Sequence, residues 1–222
     1  MNKKLNFITK YHLSTKRDYK KRMFEDKIQS MIIARKFEKD FWDGKRKYGY
    51  GGYKYIPGLL EPLAKKIIKY YKLTNSSKIL EIGCGKGYLL YEIYKILPKI
   101  KIVGFDISKY AIKNSKKEIK KKLSVRRAEK TYPYKDKLFD LAICINTLHN
   151  LQIYKLEKAF KEINRVSKCQ YIVVESYKNE KELFNLQCWA LTAEAFFSKN
   201  EWKWIFKKFK YNGEYEFIYF ND

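Results

Sequence analysis

The ten residues Lys78 to Gly87, KILEIGCGKG, constrain the fold more than any other stretch of this chain. A short apolar run carries Glu81 near its end and passes directly into glycines at positions 83, 85 and 87. The pattern predicts a strand ending near Glu81, a glycine turn, and a helix from about Tyr88. Glycines in such a turn let bare backbone approach a ligand that a Cβ would hold off. The following helix offers unpaired N–H groups and the positive end of its dipole. Asp106 stands 19 residues past Gly87 and closes a second apolar run, IKIVGFD. A carboxylate there can accept hydrogen bonds from a ribose diol. Turn and acid together point to a nucleoside cofactor.

Spacing narrows the choice. The dinucleotide fingerprint is G-x-G-x-x-G, built over a pyrophosphate. This chain has G-x-G-x-G with Glu81 two residues ahead, and a carboxylate there would repel a pyrophosphate while suiting an amino-acid ammonium. The ExGxGxG turn, the later Asp106 and the strand–helix order downstream closely resemble the class I S-adenosylmethionine-dependent methyltransferases. The resemblance covers roughly residues 60–222. It implies an α/β fold: a doubly wound, Rossmann-like, mostly parallel seven-stranded sheet that ends in a C-terminal antiparallel hairpin.

The periodicity agrees with that architecture. Apolar runs at 78–82, 100–105, 138–145 and 170–175 read as buried parallel strands, with a weaker one near 123–126. Helical stretches at 88–96, 109–121 and 154–167 separate them. Ser198 is the expected N-cap of a last helix, and YEFIYF the aromatic closing strand. Residues 1–45 are amphipathic and helical, and 46–58 form a Gly/Tyr-rich loop. The expected domains are therefore a helical cap with its lid loop over 1–58 and a methyltransferase domain over 59–222.

The formal net charge is +25. A polyanionic partner would account for it. So would plain composition, since Lys, Ile, Asn and Tyr are all abundant and Lys is spread through every segment. Dedicated phosphate recognition usually favours Arg forks as well, so composition is the plainer account. No run of 18 apolar residues suggests a membrane span. The N-terminus lacks the hydrophobic core of a secretory signal. Cys84, Cys144, Cys169 and Cys188 are scattered without metal-ligand spacing, as expected of reduced thiols in a cytoplasmic protein with no metal site.

The resemblance assigns further positions. Gly83, Cys84, Gly85 and Gly87 would carry the cofactor turn, with Glu81 toward the methionine portion, Asp106 on the ribose and Ile107 against the adenine. Many relatives place Asp or Asn before Ala-Glu after the third strand. Here Arg127 stands there, a donor only, leaving Ala128 and Glu129 to read the adenine. Asn146, and His149 just beyond it, follow the fourth strand and face the transferred methyl group. His149 is a candidate general base or a packed structural histidine. Glu175, at the tip of the fifth strand, is a second candidate base. In the tyrosine loop, Tyr50 is a candidate catalytic residue of a lid, and Arg46 a partner for the cofactor carboxylate or a substrate phosphate.

These features imply methyl transfer from S-adenosyl-L-methionine to an O or N nucleophile of a small anionic or sugar-type acceptor, by a monomer or homodimer. An RNA methyltransferase using the basic surface ranks second, lacking an NPPY-type motif and a catalytic cysteine pair. A catalytically inactive cofactor-binding scaffold ranks third.

Overall fold

The computed structural model describes residues 3–221, so the first two residues of the expected 1–58 cap and Asp222 lie outside the described residues. Four short helices lead in: α1 (Thr9–Leu13), α2 (Tyr19–Phe24), α3 (Lys27–Ala34) and α4 (Lys39–Asp43). A 3₁₀ turn, Arg46–Tyr48, opens the Gly/Tyr loop, and α5 (Glu61–Tyr70) follows. The alternating part comprises β1 (Lys78–Ile82), α6 (Tyr88–Ile96), β2 (Lys101–Asp106), α7 (Lys109–Lys113), β3 (Leu123–Val125), β4 (Phe139–Ile145), α8 (Ile153–Val166) and β5 (Ser167–Glu175). Then come α9 (Glu180–Trp189), α10 (Lys199–Lys208) and β6 (Glu214–Ile218). The helix expected over 109–121 stops at Lys113. There Asn114 Nδ2 donates to Tyr110 O and Ser115 Oγ to Ile112 O, side-chain bonds that compete with helix propagation. Ser198 caps α10 as expected, in a reciprocal box with Glu201.

The sheet order is β3-β2-β1-β4-β5-β6, and every pairing is parallel. Six strands replace the seven expected, and the antiparallel hairpin is absent among the described residues. The reason is the connection. α9 and α10 carry the chain back across the sheet, so β6 enters beside β5 in the same direction, with Tyr171 opposite Glu214 and Glu175 opposite Ile218. The turn KYNG thus ends a helix instead of joining two strands. The free side of β6 is met by the N-terminal segment: Leu5 N donates to Tyr215 O, and Tyr215 N to Lys3 O.

The Glu216 carboxylate clamps this join. It accepts from the N–H groups of Phe7, Ile8 and Thr9, the Thr9 hydroxyl and the Tyr171 hydroxyl. Burial alone would raise the pKa of Glu216, but these donors outweigh it and hold it below the usual carboxylate range.

Both faces of the sheet are covered, as the continuous apolar strands require. On one side Ile79, Ile102, Leu141, Ile143 and Val173 pack with Leu63 and Ile67 of α5 and Leu90 and Ile93 of α6. On the other, Leu80, Ile82, Phe105, Ala142 and Ile172 pack with Phe160 and Ile163 of α8 and Trp202 and Phe206 of α10. The strand order reverses between β1 and β4, which opens a crevice at their carboxyl ends. Among the described residues, no helix is long and apolar enough to cross a membrane, and no group of three or more His, Cys, Asp or Glu could hold a metal.

Candidate active site

The crevice holds two cavities of about 270 and about 280 Å³. Gly83, Asp106, Ile107, Ala128 and Glu129 line the first, with Arg127 beside them. His149, Glu175 and Arg46 line the second. Tyr50, Asn146 and Asn150 line both, so the cavities meet there.

Glu81, Cys84, Gly85 and Gly87 line neither cavity. Gly83 has φ +70°, and an added Cβ would lie 2.0 Å from Thr147 Oγ1. Gly85 has φ +54°, and a Cβ there would meet the Trp42 ring at 2.7 Å. Left-handed backbone and protein neighbours therefore both demand glycine at these two positions. Cys84 is buried, and its thiol belongs to the core cluster beneath the turn.

Asp106 Oδ2 accepts from Gly85 N and Oδ1 from Ser108 N, each at 2.8 Å. Ser108 caps α7 by accepting from Ala111 N. Burial raises the pKa of Asp106, opposed by these N–H groups. Glu81 is 5% exposed, and its Oε2 has no hydrogen-bond partner. Burial, then the nearby Asp106, pushes its pKa up to about 8. Asn146 adopts φ +52°, and its Oδ1 is likewise buried without a partner.

The His149 ring is buried, and Glu175 N donates to its Nδ1 at 3.4 Å. Its Nε2 faces Glu175 Oε2, also at 3.4 Å. Burial holds the His149 pKa below its usual value, against the pull of Glu175. The network therefore assigns a neutral imidazole with its proton on Nε2. Tyr50 stacks on Trp42 with ring centroids 5.2 Å apart. Packing around the ring, then the charges of Asp106 and Glu175, raises the pKa of its phenol, although the residue is 44% exposed.

Several contacts were not legible in the sequence. Lys86, inside the glycine turn, is 4% exposed and donates to Asp43 Oδ1 at 2.8 Å, Asp43 Oδ2 at 2.7 Å and Tyr53 O at 2.7 Å. Trp42 Nε1 donates to Ser108 Oγ at 2.9 Å. Together they tie the segment before the tyrosine loop onto the turn. The pairing spans 43 residues and has no periodic signal. Lys86→Met should cost about 2–3 kcal/mol in urea unfolding, below the full value for a buried pair because the Asp43 side chain is 25% exposed. A cycle with Asp43→Asn checks it: additive losses would mean the pair is not coupled.

A doubly wound parallel sheet with a glycine turn and two acids at its switch point defines a nucleoside-cofactor-binding α/β domain. The methyltransferase-domain family model matches residues 73–210, and the chain belongs to that family, within the class I S-adenosylmethionine-dependent group. It is 29% identical over 121 residues to human mitochondrial arginine-hydroxylase NDUFAF5, covering 54% of this chain and 34% of that protein. It is 29% identical over 102 residues to malonyl-(acyl-carrier protein) O-methyltransferase of Legionella pneumophila, covering 45% and 35%. The matched segment thus spans about a third of each of these two curated relatives. The YcgJ protein of Bacillus subtilis shares the fold, with a TM-score of 0.54 at 19% identity over 66% of each chain.

Proposed function

We propose that this chain transfers a methyl group from S-adenosylmethionine to an O or N nucleophile of a small acceptor, with the donor in the first cavity and the acceptor in the second. One relative is named an arginine-hydroxylase, so the reaction itself is part of the proposal. The observation that carries it is the continuity of the two cavities through Asn146 and Tyr50.

The residues present fit the donor. Asp106 keeps lone pairs beyond its two backbone contacts for a ribose diol, and the orphaned Glu81 Oε2 and Asn146 Oδ1 are acceptors for an ammonium. Ile107 and Ala128 supply apolar surface for a base. When bound, the cofactor supplies a sulfonium-activated methyl group. The chain then has to align the acceptor, exclude water and take up a proton.

Glu175 is the better base. The only lone-pair nitrogen of neutral His149 already accepts from the Glu175 N–H, while His149 Nε2–H orients the carboxylate. Tyr50 keeps its proton at neutral pH and acts as a donor at the shared mouth. In this reading the 1–58 segment is a cap that covers the acceptor.

Calorimetry with S-adenosylhomocysteine, followed by product detection with candidate acceptors, tests the proposal. Micromolar-range binding is expected, and absence of binding to the wild type would sink it. With an acceptor in hand, Glu175→Gln should lower kcat about 100-fold or more while cofactor affinity holds. Turnover at the wild-type level in that variant would remove Glu175 from the base role.

A further inference from the structure

The second cavity contains a feature that methyl transfer itself does not require. Trp189, at the end of α9, is surrounded by three guanidinium groups. Arg46, Arg22 and Arg17 lie 5.0, 5.1 and 5.3 Å from its ring centroid. Three like charges around one indole repel one another. Cation–π attraction, about 1 kcal/mol apiece, offsets this only in part. Among the described residues, no carboxylate forms an ion pair with any of the three.

The donors are also incomplete. Arg22 is 8% exposed and gives Nη1 to Arg46 O, but its Nε is buried without an acceptor. Arg17 spends Nη1 on the carbonyls of His12 and Thr15 and Nη2 on His12 Nδ1, and its Nε is likewise buried and unpartnered. Buried charged donors without acceptors are costly, so a merely structural knot would bring in acids. Burial and the charge of Arg46 push Arg22 down to about 10, still a cation at neutral pH.

Charge balance names the guest. In the cavity wall, three arginines face one carboxylate, Glu175, so three minus one leaves two positive charges. His12 is held neutral: burial, then Arg17, pushes it down to about 4. A single carboxylate would leave that excess half unmet. A phosphate monoester brings about −1.5 to −2 charges and three acceptor oxygens, and guanidinium forks match its geometry.

We infer that Arg17, Arg22 and Arg46, gathered around Trp189, form an oxyanion subsite that holds the phosphate group of a small phosphorylated methyl acceptor, with its nucleophile toward Glu175. This rests on the acceptor being in the second cavity.

The test is calorimetric titration of the full chain with inorganic phosphate and, separately, malonate, with and without S-adenosylhomocysteine. Phosphate should bind in the millimolar range or tighter. Arg22→Met and Arg17→Met should each weaken it about tenfold or more, while S-adenosylhomocysteine affinity stays within about threefold. If Arg22→Met does not fold, Arg46→Gln, at a more exposed position, should shift phosphate in the same direction. Three results would overturn the inference: no phosphate binding to the wild type, Arg-dependent binding of malonate but not phosphate, or loss of S-adenosylhomocysteine binding in the Arg17 and Arg22 variants. The last would make the cluster a reader of the cofactor carboxylate. A wild type that binds phosphate but not S-adenosylhomocysteine would sink the methyltransferase proposal and leave the oxyanion subsite standing.

Discussion

Asp106→Ala is expected to weaken S-adenosylhomocysteine binding by about 100-fold or more. A hydrogen bond to a charged group contributes about 1.5–3 kcal/mol, and a ribose diol offers two donors to one carboxylate. The substitution also frees Gly85 N and Ser108 N, the two anchors that join the glycine turn to the end of β2. Asp106→Asn should do little better, because both carboxylate oxygens accept from backbone N–H and an amide can present only one oxygen. Adenosine affinity should fall by a similar factor, since the lost contact is to the ribose. Unchanged affinity for S-adenosylhomocysteine in a folded Asp106→Ala protein would end the ribose assignment.

Glu81→Gln is expected to change how stability depends on pH. In the fold this carboxyl holds its proton up to about 8. In the unfolded chain it ionises near 4.3. Between those values the native state binds more protons, so stability falls as pH rises. The contribution is fully present below about 4.3 and is lost as pH climbs through about 8. At about 1.4 kcal/mol per pKa unit, the loss is on the order of 5 kcal/mol, an upper figure for so buried a site. The glutamine variant does not titrate, so its melting temperature should vary less between pH 5 and 8. Binding a ligand ammonium beside Glu81 should also expel its proton near neutral pH. Wild type should release up to one proton per S-adenosylhomocysteine, read from calorimetry in buffers of different ionisation enthalpy, and the variant none. Equal pH slopes in the two proteins would show that Glu81 is not the buried proton store.

The motif Lys78–Gly87 and Asp106 folds almost where the sequence puts it, with β1 at Lys78–Ile82 and α6 from Tyr88. At Gly83 and Gly85 the space a Cβ would fill belongs to Thr147 and Trp42. The turn is shaped by its neighbours within the protein as well as by any ligand.

The sheet's far edge and the second cavity were much less legible. An aromatic strand after KYNG looks the same on paper whether it closes a hairpin or returns parallel after a helical crossover. The direction was decided by α9 and α10 and by the N-terminal segment that pairs with β6 through Leu5 and Glu216. The arginine cluster draws on the segment just before α2, on α2 itself, on the 3₁₀ turn and on α9, whose residues 17, 22, 46 and 189 share no period.

What the sequence determined by itself is the glycine-turn end of the crevice, because strand, turn, helix and acid follow one another along the chain and each is specified by nearest neighbours. What only the tertiary structure decided is the arginine-lined second cavity and the direction of β6. Both are built from side chains and backbone that long connections bring together, and such contacts leave no local pattern to read.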